Sequence, residues 1–156
     1  MNHWLFKSEP DTFGIDDLAA QPRRSTHWDG VRNFQARNMM RDDMKRGDLG
    51  FFYHSSCAEP GIVGIVKVVR GGYPDHTAFD SASKYFDADS DPSDPRWYMV
   101  DVRLMRKFDR PVDLQTLRRH ADGKLKDMLV LRKGNRLSIT PVTPGEWKFI
   151  LSLVRE

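Results

Sequence analysis

Short apolar runs separated by polar turns predict five strands along the chain. The run His3–Lys7 is rich in aromatic and aliphatic residues and ends at the turn-forming sequence SEPD. The runs LGFFYHS and IVGIVKVVR are joined by the turn SCAEPG, which predicts a hairpin. The alternating segment RWYMVDVRLMRKF predicts the longest strand, and LSI predicts a short strand near the carboxyl end.

The helical patterns are short and lie between these strands. IDDLAA and VDLQTLRRH each predict a brief helix, and a longer one is predicted over residues 33–44, with Gly47 as its C-cap. The segment TPGEWKFILSL predicts a closing helix. Thr143 is its N-cap, Pro144 occupies the first helical position, and Glu146 completes a capping box.

The remaining segments predict loops, and together the elements predict an α+β fold. QPRRSTHWDG reads as a loop, and the polar sequence from GGYPDHT to DPSDP predicts little regular structure. Five or six strands with short flanking helices bury a core most simply as a small, strongly curved β-barrel. The chain has 156 residues without an internal repeat or long linker, so we expect a single domain over residues 1–156.

Charge is spread unevenly, although the net charge is only +3. Seven Lys/Arg stand against three Asp in Arg23–Arg46, and twelve stand against five in Arg96–Arg136. Between them, the acidic segment Asp75–Asp94 contains six Asp and one Lys. If the basic segments converge, they suit an anionic partner such as nucleic acid. Many slightly basic proteins bind no charged ligand, so charge alone leaves this open.

The sequence also predicts the cellular compartment. A single cysteine, Cys57, excludes an internal disulfide bond and favours a reducing environment. No apolar run approaches the roughly 18–20 residues that span a bilayer, and the first residues lack the pattern of a secretory signal. We therefore expect a cytoplasmic protein, or a nuclear one if the source is eukaryotic.

Metal and phosphate-loop chemistry is not expected from the motifs present. The five histidines form no i,i+4 pair, and one cysteine cannot build a Cys-rich zinc site. A calcium loop starting at Asp87 would have Pro92 and Tyr98 where Gly and Glu are required. Gly61 and Gly64 are not followed by Gly-Lys-Ser/Thr, so we interpret them as packing positions. We expect no cofactor and no metal.

The segment HWDGVRNFQARN carries the strongest functional pattern. In a helix that begins just after Gly30, Asn33, Arg37 and Arg41 fall on one stripe at i,i+4 spacing. The two arginines repel each other by a few tenths of a kcal/mol on an isolated helix. A bound phosphate would relieve this repulsion, and so would the aspartates at 42 and 43; both explanations stay open.

Trp28 differs from the other three tryptophans. Trp4, Trp97 and Trp147 lie within strand or helix patterns and are predicted to be core residues, whereas Trp28 lies in a predicted polar loop. A flat ring on a loop beside amide and guanidinium groups is typical of proteins that hold an unstacked base, with stacking worth roughly 1–3 kcal/mol. Tyr53 lies at the end of its strand, where it would supply a second wall together with His54.

Two other classes of function remain as alternatives. Cys57 and His54 are the nucleophile pair to weigh, but residues three apart in a strand and turn seldom point at one another. The main alternative is an enzyme of a related barrel fold that modifies or hydrolyses RNA or a nucleotide, using Cys57, His54 or Lys7. The third is an adaptor that binds a small metabolite. No zipper pattern is present, so we expect a monomer.

Six blocks of sequence together resemble the EVE domain: HWLFKSEPDTFGIDDL, WDGVRNFQARN, GDLGFFYHSSCAEPGIVGIVKVV, YPDHTAFD, RWYMVDVRL and RKGNRLSITPVTPGEWKFIL. The resemblance runs from about residue 3 to residue 153. It implies a PUA-like fold, a compact barrel with peripheral helices. It also implies a binding rather than a catalytic function: an aromatic pocket for a modified nucleobase, notably modified cytosine in DNA, with modified RNA as a further possibility.

The resemblance implies site residues motif by motif. The blocks KSEP, WDGVRN and FYHS would surround the base with Lys7, Ser8, Glu9, Trp28, Asp29, Gly30, Asn33, Tyr53, His54 and Ser55. The block RKGNR and the helix stripe would supply phosphate contacts from Arg37, Arg41, Arg132, Lys133 and Asn135. Flipping a base out of a duplex costs a few kcal/mol, which stacking on a ring and hydrogen bonds to the base edge offset.

Overall fold

The computed structural model describes residues Met1–Val154, which form six strands and five α-helices. The strands are β1 (His3–Ser8), β2 (Ser25–Trp28), β3 (Leu49–His54), β4 (Gly61–Pro74), β5 (Tyr98–Asp113) and β6 (Ile139–Val142). The helices are α1 (Pro10–Phe13), α2 (Ile15–Ala19), α3 (Phe34–Asn38), α4 (Leu114–Arg118) and α5 (Pro144–Leu153). Short 3-10 turns occupy Pro22–Arg24, His76–Phe79 and Leu129–Leu131. No helix in this part of the chain is long and apolar enough to cross a membrane.

The six strands form one mixed sheet in the order β2-β5-β4-β3-β1-β6. β1 and β3 are parallel, with Phe6 opposite Phe52, and every other pair is antiparallel. This confirms the predicted α+β class and the number of strands. Among the described residues no ladder joins β2 to β6, so the pairing shows a six-stranded mixed sheet, and closure into a barrel stays a prediction.

The long antiparallel pair of β4 and β5 is interrupted by four register shifts. Extra residues of this kind bend and twist a strand, which re-aims the side chains that follow. Near one shift, Gly64 has no room for a side chain, because a β-carbon would collide with the Arg106 carbonyl oxygen and the Ile15 side chain. The interpretation of this glycine as a packing position is confirmed.

Alternation along the central strands divides the core into two clusters. Phe6 and Phe52 belong to one cluster, whereas their neighbour Phe51 belongs to the other. In the second cluster Trp147 of α5 stacks on Phe51, with ring centroids 4.0 Å apart. Trp4 lies in the first cluster. Both tryptophans are buried, as their patterns predict.

Local capping explains α5 and corrects the predicted helix over residues 33–44. The Thr143 hydroxyl accepts a hydrogen bond from the Glu146 N–H, and the Glu146 carboxylate accepts one from the Thr143 N–H, which confirms the predicted capping box. The earlier segment is α-helical only over α3 and continues as a π-helical turn over Met39–Asp43. It ends at Met44, and Gly47, with φ of 99°, lies in the turn that leads to β3.

Candidate functional site

A cavity of about 630 Å³ lies beyond the carboxyl ends of β1 and β2. Ser8 ends β1 and Trp28 ends β2, so the two strands deliver consecutive polar and aromatic groups to the same place. Six of the ten predicted pocket residues line it: Lys7, Ser8, Glu9, Trp28, Asp29 and Gly30. Eight further residues complete the lining: Thr12, Phe13, Thr26, His27, Val31, Lys84, Tyr85 and Ser138.

Trp28 is a strand residue and not a loop residue. Pairing of β2 with β5 places Trp28 opposite Val100, and the ring is only 8% exposed. Phe6 and Phe52 contact it edge-on, with centroids 5.1 and 5.5 Å away. The prediction of a free ring on a polar loop is therefore wrong, because pairing with a buried strand overrides the polar composition of STHW. Trp28 is a core residue that also forms part of the cavity wall.

Gly30 lies in the turn after β2, and this turn contacts the opposite wall of the cavity. Its φ is 75°, a left-handed conformation that glycine adopts without the steric penalty of a β-carbon. A β-carbon there would lie 2.6 Å from the Tyr85 ring, so this ring packs directly on the glycine backbone. The cavity is therefore bounded by Trp28 from β2 and by Tyr85 from the acidic segment.

Asp75 anchors the acidic segment to this turn. Its carboxylate is fully buried and accepts hydrogen bonds from the Gly30 N–H at 2.8 Å and from Arg32 Nη1 at 3.0 Å. The Thr77 N–H and hydroxyl supply two more, at 2.8 and 2.5 Å. Burial by itself would raise the pKa of Asp75, but the hydrogen bonds from Thr77, Gly30 and Arg32 outweigh it and lower the pKa. The charged carboxylate is thus the stable form.

Arg32 holds Tyr85 in position. Its guanidinium donates to the Tyr85 carbonyl oxygen from Nη2 at 2.6 Å and from Nε at 3.1 Å. The guanidinium carbon also lies 5.7 Å from the centre of the Tyr85 ring, and Lys84 Nζ lies 5.0 Å from it. Both cations are attracted electrostatically to the face of the Tyr85 ring. Arg32 lies within the motif WDGVRN, and apart from a bond to the neighbouring Val31 carbonyl oxygen its hydrogen bonds go to residues more than forty positions away.

The cavity lining contains both positively and negatively charged side chains. Burial lowers the pKa of the Lys7 ammonium group. Burial raises the pKa of Asp29, and the nearby Asp75 carboxylate adds to this effect, whereas His27 and His76 oppose it. The Ser8 hydroxyl is already used within the protein, because it donates to the Phe13 carbonyl oxygen at 2.7 Å. The charged side chains that line the cavity are Lys7, Glu9, Asp29 and Lys84.

The FYHS block does not form a wall of this cavity. Tyr53 lies in the second core cluster, on the opposite face of the sheet from Trp28. His54 is turned toward α2, where its Nε2 accepts a hydrogen bond from the Ile15 N–H at 3.1 Å. Burial lowers the pKa of His54, more than Asp16 and Asp17 raise it. Strand alternation turns Tyr53 to the other face of the sheet, and the hydrogen bond from Ile15 holds His54 against α2, so neither side chain lines the cavity as predicted.

Two other predicted pocket residues have local structural contacts. Ser55 donates its backbone N–H to the Ser8 carbonyl oxygen, which extends the pairing of β1 and β3. Asn33 is the N-cap of α3, and its Oδ1 accepts a hydrogen bond from the Ala36 N–H at 3.0 Å. Neither side chain lines the cavity. Asn33 still belongs to the site indirectly, because it fixes where α3 begins.

The predicted phosphate contacts are partly engaged within the chain. Arg37 donates to the Arg96 carbonyl oxygen at 2.6 Å, and Arg41 forms an exposed ion pair with Asp42 at 2.8 Å. At Arg41 an aspartate therefore supplies the negative charge that relieves the repulsion between the two arginines. An exposed ion pair of this kind contributes little to stability, so Arg41 can exchange Asp42 for a phosphate oxygen.

In the RKGNR block, Asn135 is used to shape its own loop. Its side-chain amide donates to the Leu129 carbonyl oxygen at 2.6 Å, and its Oδ1 accepts from the Leu137 N–H at 2.9 Å. Arg132 lies 3.8 Å from Asp127 at the surface. Lys133 is exposed. None of the three lines the cavity, and the assignment of these residues as phosphate contacts stays a prediction.

A second concave surface, of about 440 Å³, is strongly basic. Its walls include four cations that form no ion pair with any residue between Met1 and Val154: Arg24, Arg46, Lys67 and Arg103. Arg24 precedes β2 directly, so this basic groove and the cavity lie at opposite ends of one short strand. Sequence reasoning noted the charge surplus of these segments but did not identify the groove.

Tyr85 is the cavity residue that was hardest to expect from the sequence. It stands in a polar, aspartate-rich stretch that predicts solvated surface. One signal was present, because the aromatic pair Tyr85 and Phe86 is unusual in such a stretch. Of these neighbours only Tyr85 lines the cavity, and Phe86 is 44% exposed.

The fold and the cavity together define a class: a mixed-sheet α+β protein with a polar, aromatic-walled cavity beside a basic groove. A model of the EVE domain matches residues 2–153, and the chain belongs to the EVE domain family. Thymocyte nuclear protein 1 of Gallus gallus is 48% identical, over 99% of this chain and 69% of the relative. Thymocyte nuclear protein 1 of Homo sapiens is 45% identical, over 97% of this chain and 73% of the relative.

Solved structures share the whole architecture. The crystal structure of human THYN1 protein in complex with 5-methylcytosine-containing DNA has a TM-score of 0.94 and 45% sequence identity, covering 100% of this chain and 99% of that chain. A crystal structure from Pseudomonas putida has a TM-score of 0.91 and 46% identity, covering 97% of this chain and 98% of that chain. The recognition of the EVE domain from sequence is confirmed.

Proposed function

We propose that this chain is a non-enzymatic, monomeric binding module that holds a modified nucleobase of DNA, first of all 5-methylcytosine, in the cavity between Trp28 and Tyr85. The observation that carries the proposal is the human THYN1 structure in complex with 5-methylcytosine-containing DNA, which matches this chain over its full length. The aromatic walls and the mixed polar lining of the cavity support it independently.

The charged groups of the cavity suit the edge of a cytosine. Carboxylates accept hydrogen bonds from the exocyclic amine of this base, which matches Asp29 and Glu9. The Lys7 ammonium is a donor for the carbonyl oxygen on the same edge. An amine donor beside Asp29 would favour its charged form, and would thus oppose the rise in pKa that burial causes. Binding and the protonation of Asp29 are therefore linked.

The apolar lining accounts for a modest preference for the methyl group. Phe13 and Val31 line the same cavity, and Val31 is only 5% exposed. Burial of one methyl-sized group contributes about 0.8 kcal/mol, which corresponds to roughly four-fold in affinity. A preference much larger than four-fold requires a close steric fit around the methyl group, beyond the gain from burial alone.

The basic groove supplies contacts for the sugar–phosphate backbone. Its four unpaired cations present a concave positive surface at the far end of β2 from the cavity. Neutralisation of phosphates by Lys and Arg contributes affinity without sequence preference. We infer that the groove, together with Arg37 of α3 and Arg41 of the turn that follows it, holds the strand while the cavity reads one base. His54 supports the non-enzymatic proposal, because its Nε2 is engaged by the Ile15 N–H.

The experiment that tests the proposal is fluorescence anisotropy with matched oligonucleotides. DNA and RNA strands would carry cytosine, 5-methylcytosine, 5-hydroxymethylcytosine or N6-methyladenine at one position. We expect tightest binding to DNA with a modified cytosine. Equal binding of all strands, or none, would overturn the proposal. Mass spectrometry of the recovered strands checks that no base is altered, and a changed base would establish an enzyme instead.

The chain offers a matched pair of variants for the same experiment. Tyr85→Ala removes a cavity wall while it leaves the backbone carbonyl that Arg32 binds. Phe86→Ala removes an adjacent, exposed ring that does not line the cavity. We expect Tyr85→Ala to weaken binding of the marked strand about ten-fold or more, and Phe86→Ala to leave it within two-fold. Equal effects of the two changes would remove the cavity from the proposal.

A further inference from the structure

Phe34, the first residue of α3, carries an exposed aromatic ring that packs on a second aromatic ring. It is 53% exposed, yet its ring stacks on Trp97 with centroids 4.8 Å apart and planes 22° from parallel. The Arg37 guanidinium lies 4.9 Å from the Phe34 centroid. Large exposed apolar side chains are common as single residues, but this one is fixed by an aromatic stack and accompanied by a cation.

The support beneath Phe34 is a buried, hydrogen-bonded indole ring. Trp97 is buried, belongs to neither core cluster, and donates from its indole Nε1 to Asp87 at 2.6 Å. Its position just before β5 ties it to the sheet. On the helix side, Asn33 caps α3 and sets the angle at which Phe34 leaves the backbone. Trp97 is thus a buried residue, as its pattern predicts, and it also supports the Phe34 ring at the surface.

This support is shared with the cavity. The Arg32 guanidinium carbon lies 5.4 Å from the Trp97 ring and 5.7 Å from the Tyr85 ring. Thus one guanidinium group separates the cavity wall from the tryptophan that carries Phe34. We name Phe34, Trp97 and Arg37 the stacking platform. The platform and the cavity are therefore connected through the Arg32 guanidinium. This guanidinium is held in place by its ion pair with the Asp75 carboxylate.

We propose that the stacking platform binds the nucleobase adjacent to the one held in the cavity, by stacking on the exposed Phe34 ring. This inference rests on the proposed function, since it requires a nucleic acid in the cavity. Successive bases of a strand that leaves a pocket lose their own stacking partners, and aromatic side chains replace them without sequence preference, since every base has a π-face. Arg37 and the neighbouring Arg41 supply positive charge beside the strand.

The chemistry of the platform gives it a signature that differs from that of the cavity. A flanking base stacks on Phe34 whether or not the base in the cavity is methylated. Loss of the ring therefore weakens binding of marked and plain DNA by the same factor and leaves the preference between them unchanged. Stacking on one aromatic side chain corresponds to about 5- to 150-fold in affinity.

The test compares Phe34→Ala, Phe34→Tyr and Gln35→Ala in the same anisotropy experiment. We expect Phe34→Ala to weaken binding of both strands about ten-fold, Phe34→Tyr to retain wild-type affinity because it keeps a ring, and the exposed helix neighbour Gln35→Ala to match wild type. Thermal unfolding of each variant verifies that the fold is kept, since Phe34 is exposed.

The outcomes separate this inference from the proposed function. A wild-type protein that prefers the marked strand, with a Phe34→Ala variant bound within two-fold, overturns the stacking platform alone. A Phe34→Ala variant that loses the preference for the mark also overturns it, because the ring would then act on the base in the cavity. A wild-type protein that binds no strand overturns both.

Discussion

The Asp75 carboxylate and the Gly30 N–H lie 2.8 Å apart, and this hydrogen bond joins the acidic segment to the turn after β2 across 45 positions of sequence. The same carboxylate holds Arg32, which in turn holds the Tyr85 carbonyl oxygen. One buried charge thus positions both the turn and the aromatic wall of the cavity.

We predict that Asp75→Asn destabilises the protein by about 1–3 kcal/mol and weakens ligand binding. The reason is that an amide cannot replace a charged acceptor of four hydrogen bonds. Urea denaturation measures the free energy of unfolding. Asp89→Asn, an exposed change in the same segment, is the control and should stay within about 0.5 kcal/mol of wild type. Equal stabilities of the two variants would contradict the prediction.

Acid titration gives a second test of Asp75. Its pKa is lowered from 3.8, so the unfolded chain binds the proton more readily than the folded one. The stabilisation is therefore fully present above pH 3.8 and is lost as pH falls through the lowered folded-state value. Asp75→Asn should flatten this part of the curve of unfolding free energy against pH.

We predict that Gly30→Ala both strains the backbone and displaces Tyr85. A non-glycine residue in the left-handed region costs roughly 1–2 kcal/mol, and the added β-carbon would lie 2.6 Å from the Tyr85 ring. We expect the loss in binding free energy to exceed the loss in unfolding free energy, because the displaced ring is a cavity wall. Gly145→Ala is the matched control, since no atom lies within 4 Å of its added β-carbon. Unchanged binding by Gly30→Ala would exclude Tyr85 from the site.

We predict that Trp28→Ala destabilises the protein by about 3–5 kcal/mol, because it removes a ring that packs against Phe6 and Phe52. Trp28→Phe should lose less, since it keeps an aromatic ring in the first core cluster. Guanidinium denaturation measures both. A Trp28→Ala variant as stable as wild type would show that the ring is not a core residue. Binding losses in this variant therefore combine the loss of a wall with the loss of fold.

We predict that His54 makes the protein less stable below neutral pH. Burial lowers its pKa from 6.5, and its Nε2 accepts a hydrogen bond from the Ile15 N–H only when that nitrogen is unprotonated. Its contribution is complete above pH 6.5 and is lost as pH falls from there toward the folded-state pKa. His54→Gln should reduce the change in unfolding free energy between about pH 7.5 and 5.5, measured by urea denaturation. These values lie roughly one unit on either side of the ordinary histidine pKa. The exposed His76→Gln should keep this change in unfolding free energy.

We predict that the basic groove sets the salt dependence of binding. Arg24→Gln with Arg103→Gln should lower the magnitude of the slope of log affinity against log salt by about two, because each phosphate contact contributes about 0.9. The control pair is Lys124→Gln with Lys126→Gln, which removes the same charge from an exposed loop outside the groove. Anisotropy titrations between roughly 50 and 200 mM salt measure the slope. Equal slopes for the two pairs would exclude the groove as a phosphate site.

Short-range patterns predicted the elements whose residues interact with near neighbours. The capping box of α5 joins Thr143 to Glu146 three positions away, and this local geometry is legible in sequence. The alternating apolar runs likewise predicted β1, β3, β4 and β5. β2 was missed because STHW carries no such pattern. It becomes a strand through its pairing with β5, where Thr26 lies opposite Val102.

The sequence by itself determined the α+β class, the positions of most strands, the closing helix and, by its resemblance to the EVE domain, the family and six of the cavity residues. Only the tertiary structure decided which side chains share the cavity. Strand alternation turns Tyr53 to the opposite face, and Asp75 and Arg32 bring Tyr85 from a polar segment to the wall facing Trp28. The physical reason is that local propensity acts over a few residues, whereas the cavity is built by a buried carboxylate and a sheet that join segments far apart in the chain.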